Sequence, residues 1–180
     1  MSHPTGERAA TPLLVAFLDL SGFAAQATRV TDDELASVMD GWYERLAARV
    51  DAAGGRTVKF IGDAALIVWP AERADDGVTA LLALKDDADA YFAQAGWPCR
   101  ANVKAHVGEC IAGGYGARGD KRFDVIGKAV NTAAMLDSNG VALSAEAFRA
   151  LGPETRTRFK KHTWPVTYIR VEDPHRFRKR

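Results

Sequence analysis

An α+β fold built on a ferredoxin-like βαββαβ sheet follows from three observations on these 180 residues. Two short apolar runs rich in β-branched and aromatic residues, Leu14-Val-Ala-Phe-Leu-Asp-Leu20 and Thr57-Val-Lys-Phe-Ile-Gly-Asp63, end in small residues as strands do. Two longer stretches, one between these runs and one after the second, repeat apolar residues at helical spacing. Strand and helix signals alternate as β-α-β-β-α-β, with further strands and helices at the C-terminal end, which predicts one sheet covered by helices on one face.

Residues 1–11 are polar and expected to be loose, residues 12–172 form a single domain, and residues 173–180 are a basic tail. The first strand is predicted over 13–20. Thr31-Asp-Asp-Glu34 has the form of a capping box, with Thr31 as N-cap and Glu34 at N3. Leu35, Val38, Met39, Trp42, Leu46 and Val50 continue that helix until Gly54-Gly55 stops it. Residues 56–62 and 64–69 read as a hairpin with Gly62-Asp63 at its tip, closed by Pro70. A second helix is expected over 73–94 and a long strand over 100–112. Gly113-Gly-Tyr-Gly116 lacks the Gly-Lys-Ser/Thr ending of a phosphate loop and, with Gly119-Asp-Lys-Arg122, reads as a flexible, hinge-like excursion. A short strand over 123–126, a helix over 129–136, further short strands and a helix over 145–151 complete the domain.

Composition bounds the function classes. With 47% apolar and 26% charged residues the chain can bury a real core, and a formal charge of +1 supplies no field for a nucleic-acid or membrane partner. No apolar run approaches the ~20 residues of a membrane span and no signal peptide opens the chain, so a soluble, cytoplasmic protein is expected. Cys99 and Cys110 have no metal-ligand spacing and read as reduced core thiols. His106 alternates with apolar neighbours and reads as a solvated or hydrogen-bonded strand histidine.

Asp19 and Asp63 are the candidate functional residues. Each ends a strand-type run where a turn exposes it, and paired hard carboxylates suit Mg²⁺ or Mn²⁺, the ions of phosphate chemistry. On these segments alone, plain turn aspartates are an equal reading. In an extended strand Lys59, Ile61 and Asp63 face one side, with Val58 and Phe60 on the other.

Three segments taken together, Phe17-Leu-Asp-Leu-Ser-Gly-Phe23, Val58-Lys-Phe-Ile-Gly-Asp63 and Phe123-Asp-Val-Ile-Gly-Lys-Ala-Val-Asn-Thr-Ala-Ala134, resemble the class III nucleotidyl cyclase catalytic domain. The resemblance extends through His106-Val-Gly108, Leu143-Ser144 and Trp164-Pro-Val-Thr-Tyr168, from Leu13 to Val171. It implies that Asp19 and Asp63, with Leu20 in the same set, hold two Mg²⁺ or Mn²⁺ ions over the α-phosphate, and that Ser21, Gly22 and Phe23 receive phosphate oxygens. It implies that Lys59 and Asp124 read the base, as in adenylate cyclases, and that Asn131 orients the ribose. Lys161 is the best match to a phosphate-binding lysine. In the family these roles lie across two subunits, so the resemblance implies a head-to-tail homodimer with shared sites, in which a lone protomer would be inactive.

One residue departs from the family. An arginine that stabilises the pentavalent phosphate falls four residues after the asparagine, and this chain has Met135 there. Either another cation, from Arg118, Lys121, Arg122, Arg158, Lys160 or Lys161, replaces it or turnover is slow. Three functions stay open: conversion of ATP to cyclic AMP and pyrophosphate, a pyrimidine cyclase making cyclic CMP or cyclic UMP, and a degenerate domain that binds nucleotide without turnover. A separate regulatory or cyclic-nucleotide effector protein is a further candidate partner.

Overall fold

Thirteen residues at the start of the chain's order, Ala9–Ser21, form the central strand β1 of the computed structural model, which describes residues 8–163 and 166–174. The Trp164-Pro165 part of the resemblance and the tail from His175 lie outside the described residues. A short helix α1 (Phe23–Ala27) leads to α2 (Asp32–Ala52), where Thr31 Oγ1 accepts the Glu34 N–H at 3.2 Å as the capping pattern predicts. The hairpin β2 (Arg56–Ile61) and β3 (Ala64–Pro70) follows, then α3 (Ala74–Gln94) after a 3-10 turn. Next come β4 (Arg100–Ala117), β5 (Asp120–Ile126), α4 (Lys128–Met135), β6 (Val141–Leu143), α5 (Ala145–Arg149), α6 (Pro153–Arg156), β7 (Phe159–His162) and β8 (Thr167–Arg170).

The strands form one sheet in the order β2-β3-β1-β4-β6-β8-β7, with β5 paired to β4 off that path. The first four places, all antiparallel, are the ferredoxin-like core. Alternation divides β1 cleanly: Leu14, Ala16, Leu18 and Leu20 join the core under α2 and α3, while Leu13 and Val15 join a second core on the opposite face. Trp42, Leu46, Val78, Leu81 and Phe92 fill the first core from the two long helices, each at most 1% exposed.

Four expectations are corrected. Helices cover both faces: Ala129 and Ala133 of α4 pack in the second core with Leu13, Val15 and Cys110, because this helix returns beneath the sheet after β5. β1 starts at Ala9 rather than residue 13, since β4 is long enough to pair Ala9 with Ala112. Gly113 to Gly116 is no hinge but continuous strand, with Gly113 opposite Asp124 and Gly116 opposite Lys121; a Cβ on Gly116 would stand 2.7 Å from the Asp120 carbonyl oxygen, so glycine permits the close pairing. Strict alternation also fails in β2, where the register shifts between Thr57 and Lys59; Val58 packs in the second core and Phe60 in the first.

Candidate active site

The carboxyl end of β1 and the β2–β3 turn bring the two aspartates together. Gly62 takes φ 59 there, a left-handed conformation that turns the chain so that Asp63 leaves the strand instead of continuing its alternation. Asp63 Oδ2 accepts the Leu20 N–H at 3.1 Å, which ties it to the residue following Asp19. Tyr43 of α2 supports the turn from behind, donating its hydroxyl to the Gly62 carbonyl while its ring stacks on Phe60 at 4.0 Å between centroids. Burial, and next the Asp63 charge, push the Tyr43 hydroxyl above its ordinary pKa of 10.0, so it stays a donor.

Asp19 is held from the neighbouring strand. Asn102, its register partner on β4, donates Nδ2 to Oδ1 at 3.2 Å, and Lys104 Nζ lies 3.3 Å from Oδ2. Neither residue was singled out from the sequence. Both occur at alternate positions of a predicted strand, but only the register of β4 on β1 shows that they share the face of Asp19.

After Asp19 the chain turns sharply at Gly22, φ 83, into α1; Ser21 donates its hydroxyl to the Arg100 carbonyl at 3.0 Å, and Gln26 N–H returns to the Gly22 carbonyl at 3.1 Å. Ser21, Gly22 and Phe23 therefore stand beside the aspartates. Among the described residues no group of three or more His, Cys, Asp and Glu side chains is placed to hold a metal ion. Two carboxylates of hard oxygens, tied at one strand end with a main-chain segment between them, still match the chemistry of a Mg²⁺ or Mn²⁺ site, and the Lys104 ammonium marks the spot as favourable to positive charge.

Lys59 and Asp124 form a second group. Although 65 residues apart, they meet at 2.6 Å between Nζ and Oδ2, because β5 folds back over β4 toward β2; Asp124 Oδ1 also accepts the Val125 N–H at 2.8 Å. Asp124 thus pairs with neither Lys121 nor Arg122, and Arg122 instead approaches Asp120 at 3.6 Å. Asn131 and Met135 lie one turn apart on the exposed side of α4, with Met135 85% exposed. Lys161 is on β7, the edge strand four places from β1, and points to solvent. Within one chain it is not brought to the aspartates.

The remaining candidates are structural. His106 Nδ1 is 2.8 Å from the Ser144 hydroxyl, the N-cap of α5, and Cys99 and Cys110 are buried free thiols, as the sequence predicts. Among the described residues no helix is long and apolar enough to cross a membrane.

The family model of the adenylate and guanylate cyclase catalytic domain matches residues 8–163. The chain belongs to this family. By family it is a nucleotidyl cyclase catalytic domain, a class that acts on nucleoside triphosphates, generally with divalent metal ions, and typically as a dimer. It is 30% identical over 156 residues to Adenylate cyclase 2 of Rhizobium meliloti, covering 79% of this chain but 42% of that protein, so it spans less than half of that relative's length. The adenylyl cyclase CyaB from P. aeruginosa superposes with a TM-score of 0.80 at 20% identity, over 94% of this chain and 98% of that one. The guanylyl cyclase Cya2 superposes with a TM-score of 0.78 at 19% identity, over 92% and 93% of the two chains. These two likenesses show the fold.

Proposed function

We propose that the protein converts ATP to 3′,5′-cyclic AMP and pyrophosphate at sites shared between two head-to-tail protomers, with Mg²⁺ or Mn²⁺. The observation that carries this reading is the pairing of two prepared groups on a cyclase fold: Asp63 tied to Leu20 beside Asp19, and Lys59 held against Asp124. In the reaction the ribose 3′-hydroxyl loses its proton, O3′ bonds to the α-phosphorus, and the bond from that phosphorus to the bridging oxygen breaks to release pyrophosphate. Divalent ions held by Asp19, Asp63 and the Leu20 main chain would neutralise the triphosphate and acidify the hydroxyl.

The chain's own residues do the rest. The turn at Ser21, Gly22 and Phe23 offers main-chain N–H groups to phosphate oxygens. Lys59 presents a donor and Asp124 an acceptor side by side, which matches the ring nitrogen and amino group on the adenine edge. Asn131, exposed on α4, orients the ribose of the substrate whose triphosphate lies on the partner, and Lys161 of the same protomer as Asn131 supplies a phosphate contact across the interface. The exposed apolar residues Ile61, Ile111, Ile126 and Met135 support a surface that a second protomer covers.

Cytosine carries the same acceptor-then-amino order at its edge as adenine, so the Lys59–Asp124 couple also supports a second reading, a cyclase making cyclic CMP. Incubating the purified protein with each of the four ribonucleoside triphosphates and Mn²⁺, then identifying products by mass, separates the two. Cyclic AMP from ATP is the expected result. No cyclic product from any triphosphate refutes both readings.

A further inference from the structure

The partner of Asp19 on the next strand has a role beyond holding the fold. Lys104 sits in the middle of β4, opposite Phe17, and reaches diagonally to Asp19; its side chain is 21% exposed and that of Asp19 34%. Its strand neighbours on the other face, Val103 and Ala105, are fully buried in the first core, so the backbone that carries it is rigid. Asn102 separately holds the other carboxylate oxygen at 3.2 Å. The aspartate is therefore already oriented without the lysine, and the ammonium adds charge where orientation is satisfied. A half-buried lysine loses hydration at such a place, which favours it only where negative charge is concentrated.

We propose that Lys104 is a resident cation of the triphosphate site. In the nucleotide-free protein it neutralises Asp19 and competes with a divalent ion for that carboxylate; when metal and triphosphate arrive, the ammonium yields Oδ2 and turns to a phosphate oxygen. Lys104 thus supplies from the metal-binding protomer part of the positive charge that Met135 on α4 does not. This inference rests on the assignment of Asp19 and Asp63 as the metal-binding pair.

The test uses two probes that carry no base, Mn²⁺ alone and inorganic tripolyphosphate, on the full chain. Free Mn²⁺ measured by electron paramagnetic resonance should show Lys104→Met binding the ion about tenfold tighter than wild type, the effect of removing one contact charge at a partly exposed site. Calorimetry at saturating Mn²⁺ should show tripolyphosphate bound about tenfold more weakly by the same variant, a loss on the scale of one charge-assisted hydrogen bond. Lys104→Arg, which keeps the charge, should stay near wild type in both, and Lys104→Gln serves in place of the methionine variant if thermal melts show that one unfolded. Mn²⁺ affinity or tripolyphosphate affinity unchanged in a folded, uncharged variant overturns the proposal, the second by reducing Lys104 to a counter-ion of Asp19. Asp19→Asn separates this from the underlying assignment: Mn²⁺ binding that survives it overturns the metal pair itself, whereas binding lost in Asp19→Asn yet unchanged in Lys104→Met overturns the role of Lys104 alone.

Discussion

Replacing Met135 with arginine tests whether this site lacks a cation or has rewired one. Met135 is the last residue of α4, four positions beyond Asn131, which places the two about 6 Å apart along one helix edge. Its side chain is 85% exposed, so Met135→Arg removes no core contact, and a basic residue in the last turn suits the helix dipole. Stability should therefore change by less than about 0.5 kcal/mol. A guanidinium reaching the phosphate from there would supply a donor aimed at developing charge, a class of contact worth about 2.7–4 kcal/mol when optimally preorganised. An arginine added to a site not built around it should recover part of that, about 1.4 kcal/mol or more, and so raise kcat at least about tenfold. The assay is the initial rate of cyclic nucleotide formation at saturating Mn²⁺ and triphosphate, with dimer content checked in parallel. If Arg122 or Lys161 already fills the place, Met135→Arg gains nothing and neutralising that residue costs about two to three orders of magnitude instead. Turnover indifferent to Met135→Arg and to neutralisation of every basic residue in 118–122 and 158–161 would refute the reasoning.

Asp63→Ala should abolish turnover while the protein melts only a few degrees lower, since it loses a single hydrogen bond to Leu20, worth about 1 kcal/mol; Asp19→Ala, which also frees Asn102 and Lys104, should likewise abolish turnover, and cyclic nucleotide production by either folded variant would contradict the two-metal assignment. Asp19→Ala protomers mixed with Asn131→Ala protomers should regain activity, because a head-to-tail heterodimer rebuilds one intact site. Inactivity despite subunit exchange, followed by fluorescence transfer, would argue against shared sites. Burial holds the His106 imidazole below its ordinary 6.5, with Glu146 at 3.6 Å acting in the opposite direction. The unfolded chain therefore takes up this proton first, so the contribution to stability is complete above pH 6.5 and declines as pH falls through that value. Urea midpoints measured from about pH 7.5 to 5.5 should fall less in His106→Gln than in wild type, and parallel curves would remove His106 as the cause.

Local chemistry in the chain was enough to locate most of the helices and strands and to put Asp19 and Asp63 near strand ends. The capping box at Thr31, the apolar spacing through Val50, and the glycines after it specify α2, because helix boundaries depend on neighbours within a few residues. The strand-end positions of Asp19 and Asp63 follow in the same way from β-branched runs that stop at small residues. What residue order could not provide was anything set by pairing between distant strands. The bulge at Val58, the conversion of Gly113 to Gly116 from presumed hinge to paired strand, and the return of α4 beneath the sheet all depend on which strand lies alongside. The tie from Asp63 to Leu20, the 2.6 Å contact of Lys59 with Asp124, and the hold of Asn102 and Lys104 on Asp19 span 43 to 85 residues of chain. Such contacts are created by register, a property of two strands together, and one residue of slip would have turned Lys104 away from Asp19 to the other face of the sheet.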